Sequence, residues 1–195
     1  MVPTDKETKT GMTDLKDMTN MTNMTIPTNT ATETTTPARL EPGMKAPDFT
    51  LPAIGPDRHE TSVTLSRTLE TQGKMLLYFY PAAMTPGCTT QACDFRDNIA
   101  RLSSLGYTVL GASKDPLDKL RRFVERDRLT FALLSDADLT VHRLYGAYGE
   151  KNSYGRIVTG VLRSTFAIDR NGTITLARYN VRAKGHVDSL LKCLS

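Results

Sequence analysis

The sequence predicts an α/β fold, a three-layer sandwich in which a mixed central β-sheet lies between flanking helices. Three observations carry this expectation. Strand-like and helix-like stretches alternate through the middle of the chain, the pattern of strands linked by helical crossovers. Towards the end, Asn171-Gly172 stands between two apolar, β-branched runs, the signal of a hairpin, and a helical segment follows. With 195 residues, 39% of them hydrophobic, the chain has material for one cored domain and a tail.

Residues 1–40 form the tail. Thr and Met dominate it, with a near-repeat at Met18-Thr19-Asn20, Met21-Thr22-Asn23 and Met24-Thr25-Ile26. Its bulky aliphatics stand singly, at Val2, Leu15, Ile26 and Leu40. That is too little apolar surface to offset the entropy of ordering, so disorder is expected. A binding or targeting tail is the alternative, and Met12, Met24 and Met44 each offer another start codon.

The domain spans residues 41–195. Met44 to Pro52 alternates apolar and polar residues around prolines, as an edge strand or extended arm does. Pro56 to His59 reads as a turn, Thr61 to Leu65 as a short strand of period two, and Gln72-Gly73-Lys74 as another turn. Met75 to Tyr80 is an unbroken apolar and aromatic run, hence a buried strand, and Pro81 ends it. A helix is expected from Pro86 to about Ser104, then a strand over Tyr107 to Ser113. Asp115-Pro116 opens a second helix, with Pro at its first position and Leu117, Leu120, Phe123 and Val124 on one face. Phe131 to Ser135 is a short strand. Asp138 to Leu144 is a helix leading into a loop rich in Gly and Tyr: Gly146, Tyr148, Gly149, Tyr154 and Gly155. Val161 to Asp169 and Thr173 to Tyr179 are the hairpin strands, and Gly185 to Leu194 is the last helix.

Bulk properties exclude several classes. The net charge is +4, without a dense basic run. Arg121-Arg122 and Arg126 to Arg128 read as a solvated helix face rather than a nucleic-acid patch. No stretch approaches the roughly 18 apolar residues of a membrane span. The first residues lack the apolar core of a secretory signal, so a cytoplasmic protein is expected. Three cysteines argue against a disulfide framework and leave catalysis, metal binding or burial.

Residues 81–93 read Pro-Ala-Ala-Met-Thr-Pro-Gly-Cys-Thr-Thr-Gln-Ala-Cys. Thr85 suits a helix N-cap whose hydroxyl accepts a free N–H, and Pro86 suits the first helical position. Cys88 then falls in the first turn, where unpaired N–H groups and the helix dipole stabilise a thiolate over a thiol. Cys93 follows five positions on. On one helix the two are turned by about 140° and displaced by about 7.5 Å, with Cα atoms roughly 8.7 Å apart. A disulfide needs them within about 7 Å. Either the two never pair, or the helix unwinds locally first. The spacing denies a contact dithiol of the Cys-x-x-Cys kind, and His59, His142 and His186 are not clustered for zinc. Two buried structural cysteines are the plain alternative. Cys193, beside Leu190 and Leu194 on an apolar helix face, reads as a packed small hydrophobe. Arg163 stands in the otherwise apolar or small stretch Val161 to Asp169, and a charge in a buried strand needs a partner. It either faces Cys88 or lies on the surface at a strand end.

Pro81, Thr85 and Cys88 resemble the Pro-x-x-x-Thr-x-x-Cys signature of the peroxiredoxins. The continuation through Cys93 to Asp97 is similar to the bacterioferritin-comigratory-protein (PrxQ) subfamily, whose second cysteine lies five residues on. Tyr148 to Lys151, Gly160 to Asp169 and Lys184-Gly185-His186 extend the resemblance. Ala82 stands where many relatives carry Lys, and Tyr148 where some carry Trp. The resemblance implies a thioredoxin-like fold and a thiol-specific peroxidase acting on hydrogen peroxide and organic hydroperoxides, in antioxidant defence and redox homeostasis. It implies that Cys88 is peroxidatic and forms a sulfenic acid, and that Cys93 resolves it as a Cys88–Cys93 disulfide. Thr85 would bond the peroxide and the sulfur, Pro81 would shield the thiolate from water, and Arg163 would polarise both sulfur and peroxide. Thioredoxin or a similar dithiol would recycle the enzyme. No metal or organic cofactor, nucleic acid or membrane is implied, and an intramolecular pair makes a monomer sufficient. A peroxide sensor or redox-regulated binding protein, whose surface changes as the helix melts, is the alternative.

Overall fold

A computed structural model of the chain describes residues 39–153 and 155–194. Of the tail expected over residues 1–40, residues 1–38 lie outside the described residues, while Leu40 belongs to the fold: it is buried in the core and its carbonyl accepts from the Tyr179 hydroxyl at 3.0 Å. The elements are β1 (Thr50–Ile54), β2 (Glu60–Thr64), α1 (Leu65–Gln72), β3 (Lys74–Phe79), α2 (Pro86–Asp97) and α3 (Ile99–Ser104). They continue with β4 (Tyr107–Ser113), α4 (Leu117–Asp127), β5 (Ala132–Ser135), α5 (Thr140–Leu144), β6 (Tyr148–Ser153) and β7 (Arg156–Val161). The last are β8 (Ser164–Ile168), β9 (Ile174–Arg178) and α6 (His186–Leu194).

Seven strands form one mixed sheet in the order β2-β1-β5-β4-β3-β8-β9. β3, β4 and β5 run parallel, and the outer pairings are antiparallel. The central strand shows why three layers form. Leu76, Tyr78 and the following Tyr80 point to one face, where they meet Ala92 and Phe95 of α2, Leu120 and Phe123 of α4, and Leu190 of α6. Met75, Leu77 and Phe79 point to the other, against Leu65 and Leu69 of α1 and Val141 of α5. Such a strand reads as continuously apolar because both faces are covered. Gly111 in β4 pairs with Tyr78, and a Cβ there would lie 2.7 Å from the tyrosine ring. Only glycine lets that ring lie flat on the sheet against Phe95, 4.5 Å between centroids.

Several expectations need correction. Of the edge strand or extended arm expected over Met44 to Pro52, residues 46–49 run as an arm outside any strand, while β1 is an inner strand that pairs with β5 only at Ala53 and Ile54, so Pro52 removes no donor from that short ladder. Residues 65–72 fold as α1, whose only buried residues are Leu65 and Leu69, too sparse a pattern to announce a helix among Ser and Thr. The helix expected from Pro86 breaks at Asn98 into α2 and α3. Pro116 holds the cap position of α4, extended at ψ 157°, rather than the first helical one. Of the residues expected in the Gly/Tyr loop, Tyr148 and Gly149 lie instead in β6, which pairs antiparallel with β7, and Tyr154 lies outside the described residues. The strand expected from Val161 to Asp169 is two pieces: Val161 ends β7, β8 starts at Ser164, and Leu162 and Arg163 join them.

Candidate active site

The loop from Tyr80 to Thr85 carries the chain from the sheet into α2, and it is pinned. The Tyr80 N–H donates to the Ala112 carbonyl of β4 at 3.0 Å. The Ala83 N–H donates to the buried carboxylate of Asp115 at 2.6 Å. Asp115 is held in turn by the Ser113 hydroxyl at 3.0 Å and by Lys119 at 2.7 Å. Pro81 heads the loop, half-buried. Met84 takes a left-handed conformation, φ 64°, which a side-chain-bearing residue adopts only where its surroundings force it.

Thr85 occupies the N-cap position of α2, but its hydroxyl does not cap. It donates to the Ala82 carbonyl at 3.0 Å. The expected cap bond is thus replaced by one that closes the loop on itself. Pro86 is the first helical residue as expected. Thr85, Pro86 and Gly87 are exposed, whereas Cys88 is only 2% exposed. The periodicity of α2 explains this. Cys88, Gln91, Ala92 and Phe95 are spaced three and four apart and form the stripe turned to the core.

Arg163 reaches that stripe. Its Nη2 donates to Cys88 Sγ at 3.1 Å, and its Nη1 to Gln91 Oε1. Of the two sequence readings, the one facing Cys88 holds. The backbone behind the guanidinium is fixed too, since the Arg163 carbonyl accepts from the Val181 N–H at 2.9 Å. Gln91 was not among the candidates. Its full burial, three residues after Cys88 on the core stripe, marks it in the structure and is not signalled in the sequence. With Oε1 committed to Arg163, its Nε2 is left buried without a partner. Asp115 was also passed over; it read simply as a helix start.

Cys93 lies on a different stripe and is half-buried. Burial pushes its thiol up from 9.0, Arg96 opposes this, and Asp127, Asp97 and Asp94 push it further up. Both cysteines are free, and both sit within one unbroken helix, as the spacing requires. Cys193 departs from expectation: it is exposed, and Arg178 donates to its sulfur at 2.9 Å.

His186 opens α6 beneath α2. Its ring lies edge-on to Phe95, centroids 6.4 Å apart, and Nε2 meets Thr165 Oγ1 at 2.9 Å. Burial lowers its pKa to about 4, with Arg178 and then Arg163 adding to the shift. On the opposite face of the sheet lies a second buried polar pair. His142 Nδ1 meets Asp136 Oδ2 at 2.6 Å, both side chains fully buried, and the Asp136 carboxylate also accepts the His142 and Val141 N–H groups. Burial pushes the Asp136 carboxyl up, but these bonds outweigh it and hold it below its ordinary value. Sealed against Phe79, this pair organises α5 and touches no nucleophile.

Among the described residues no cluster of three or more His, Cys, Asp or Glu is placed to hold a metal, and no helix is long and apolar enough to cross a membrane.

Comparison with known proteins agrees with this geometry. The AhpC/TSA family matches residues 42–177. Peroxiredoxin Bcp of Escherichia coli K12 is 42% identical over 156 residues, 80% of this chain and 96% of the relative. A Mycobacterium tuberculosis protein that also carries the name peroxiredoxin is 51% identical over 158 residues, again 80% of this chain and 96% of the relative. Among solved structures, the bacterioferritin comigratory protein of Xanthomonas campestris superposes with a TM-score of 0.67 at 33% identity, covering 75% of this chain and 89% of that one. PrxQ of Xylella fastidiosa gives 0.70 at 30% identity, over 80% and 96%. With its thioredoxin-like fold and this match in sequence, the chain belongs to the AhpC/TSA family as a peroxiredoxin of the Bcp (PrxQ) type, a thiol peroxidase.

Proposed function

We propose that this chain reduces hydrogen peroxide and organic hydroperoxides at Cys88, that Cys93 resolves the product as an intramolecular disulfide, and that thioredoxin or a similar dithiol recycles it. The observation that carries the reading is the Arg163 guanidinium 3.1 Å from a buried sulfur in the first turn of a helix. Positive charge and free N–H groups converge where negative charge develops, the logic of an oxyanion hole.

In the first step the Cys88 thiolate attacks one peroxide oxygen. An S–O bond forms, the O–O bond breaks, and the departing alkoxide or hydroxide takes up a proton. Arg163 and the first-turn amides stabilise that departing charge. The Thr85 hydroxyl has spent its proton on the Ala82 carbonyl, so its lone pairs can accept the peroxide O–H and orient it. Pro81, at the head of the pinned loop, keeps water from the sulfur. Cys93 cannot reach Cys88 while α2 is helical, so α2 unwinds locally. The Cys93 thiol then displaces hydroxide from the sulfenic acid; the disulfide forms and water leaves with the thiol proton. A dithiol reduces the bridge by two exchanges. Because one chain carries both thiols, a monomer suffices.

Intact mass after one equivalent of hydrogen peroxide tests this directly. The chain should lose two hydrogens, and Cys93→Ser should instead gain one oxygen. An unchanged mass, or a disulfide that survives Cys93→Ser, would sink the mechanism.

A further inference from the structure

One stripe of α2 is turned away from the core stripe that carries Cys88. Thr89, Cys93 and Arg96 are spaced four and three apart, so they line one face of the helix. That face meets the last turn of α4. Arg96 Nη1 donates to the Asp127 carbonyl oxygen at 2.6 Å, one of the carbonyls that a helix end leaves without a partner of its own. From the other side, Arg126 Nη2 donates to Thr89 Oγ1 at 3.0 Å. Arg126 is paired with the Asp127 carboxylate at 2.7 Å, and that side chain is only 13% exposed. Asp127 is therefore the hub. Its carbonyl holds Arg96, and its carboxylate holds the arginine that holds Thr89. The two anchor points flank Cys93, one turn before it and just under one turn after it.

We propose that the last turn of α4 is a clasp on Cys93: Arg96 and Arg126 hold its stretch of α2 closed, and their release sets how fast Cys93 reaches the oxidised Cys88. This rests on the resolving role proposed for Cys93. Arg96 and Arg126 are positioning residues here, since neither touches the reacting atoms. The reason is geometric. In a helix the two Cα atoms stand roughly 8.7 Å apart, so Cys93 must leave its stripe before a bridge can close. Both clasp bonds lie on that stripe, and both must break.

The clasp decides between two fates of the Cys88 sulfenic acid. With α2 open, the Cys93 sulfur bonds to Cys88, the S–O bond breaks, and water leaves. With α2 closed, the sulfenic sulfur can attack a second hydroperoxide. An S–O bond forms, the O–O bond breaks, the sulfur is oxidised to a sulfinic acid, and the peroxide is reduced to alcohol or water. A looser clasp therefore favours the disulfide and protects against overoxidation.

Thr89→Val removes one clasp bond alone; Arg96→Met removes the other together with the Arg96–Asp97 pair at 2.8 Å and the charge beside Cys93, and Arg96→Lys keeps a charge and a donor. Two measurements on the full chain decide the matter. Hydrogen exchange in the reduced protein reads the opening of residues 89–97 without any chemistry. Acid-quenched mass kinetics after hydrogen peroxide reads disulfide and sulfinic acid together. In Arg96→Met, exchange across α2 should rise roughly three- to tenfold, the effect of one ordinary hydrogen bond, and the disulfide rate should rise by less, because the lost charge lets burial and the carboxylates push the Cys93 thiol up further. Thr89→Val should give about twofold, because its bond is more exposed. Arg96→Lys should fall between the wild type and Arg96→Met. The sulfinic fraction at excess peroxide should drop in the same order. Faster exchange confined to the end of α4 would overturn the clasp, since Arg96 would then cap α4 and nothing more. In Thr89→Val, which leaves the charge beside Cys93 in place, faster α2 exchange with an unchanged disulfide rate would overturn it too. If the wild type forms no disulfide at all, the resolving role itself has failed, and the exchange results still decide whether the clasp holds α2 shut.

Discussion

The two stripes of α2 differ in what they face, though they share one helix and lie only a few residues apart. Cys88 stands on the core stripe, under a guanidinium that comes from the β7-β8 connection. Cys93 stands on the outer stripe, among Asp94, Asp97 and Asp127, with Arg96 as the opposing charge. On the first stripe a cation rests on sulfur. On the second, burial and carboxylates hold the thiol in its protonated, weakly nucleophilic form. Two identical side chains are thus given different chemistry by the roughly 140° between them. Helix packing, rather than sequence distance, separates the thiol we propose to attack the peroxide from the thiol we propose to resolve the product.

Exchanging either thiol breaks this contrast most severely. Cys88→Ser should bring peroxide consumption down to background in a thioredoxin-coupled assay. Cys93→Ser should keep a first turnover, seen as one oxygen gained per chain, and lose steady-state turnover with a dithiol reductant. Equal behaviour of the two variants would mean that the stripes are not distinct in function. Next in size comes the cation. Arg163→Met should lower the second-order rate with hydrogen peroxide by about 100-fold or more, in the range found when a charge-stabilising donor is removed. Arg163→Lys should recover part of this, as a point charge without the second arm to Gln91. Smaller again is Gln91→Leu. It leaves Arg163 Nη1 without its acceptor, and the rate should fall about tenfold while the fold stays intact by circular dichroism. A Gln91→Leu rate equal to wild type would show that Arg163 is held in place by its backbone alone.

How much of this was legible in the sequence follows a physical line. β3 and the start of α2 were readable because each is signalled locally, by an apolar run, a proline and a helix-start pattern. The first-turn placement of Cys88 and its distance from Cys93 came from helix geometry, whereas the pairing of the two came from the family resemblance. Arg163 was readable as a charge that needed a partner, but its strand was not: β7 and β8 join through Leu162-Arg163, and the break is set by β6 pairing with β7. The hydroxyl of Thr85 goes instead to the Ala82 carbonyl three residues back, a loop contact that the helix-start pattern does not announce. Gln91, Asp115 and the clasp were hidden for one common reason. Each acts through contacts between residues distant in the chain, 72 positions for Gln91 and Arg163, 32 for Ala83 and Asp115, 31 for Arg96 and Asp127. Cys193 was misread because its apolar neighbours on α6 turn inward while it does not.

The smallest effects test how far the cation side of α2 extends. His186 lies under Phe95, and burial first, then Arg178, then Arg163 bring its pKa from 6.5 down to about 4. The sign is fixed by where protons bind. Between about 6.5 and about 4 the unfolded chain takes a proton that the folded one refuses, so stability is full above 6.5 and falls as the pH drops through this window. The loss reaches about 3 kcal/mol below the lower pKa. Urea unfolding at pH 7 and pH 5 should show it, and His186→Gln should lessen the difference. Within that effect sits a finer one. Removing the charge in Arg163→Met should move the His186 titration, followed by NMR, upward toward 6.5, but not to it, since burial persists. Arg163→Lys should leave it close to wild type, and Arg178→Met should move it further than Arg163→Met does. A His186 indifferent to Arg163 would confine the guanidinium's field to Cys88 and Gln91. A shift would mean that the same charge that rests on the sulfur also keeps the imidazole beneath the helix neutral, coupling the reactive stripe to the packing that holds it.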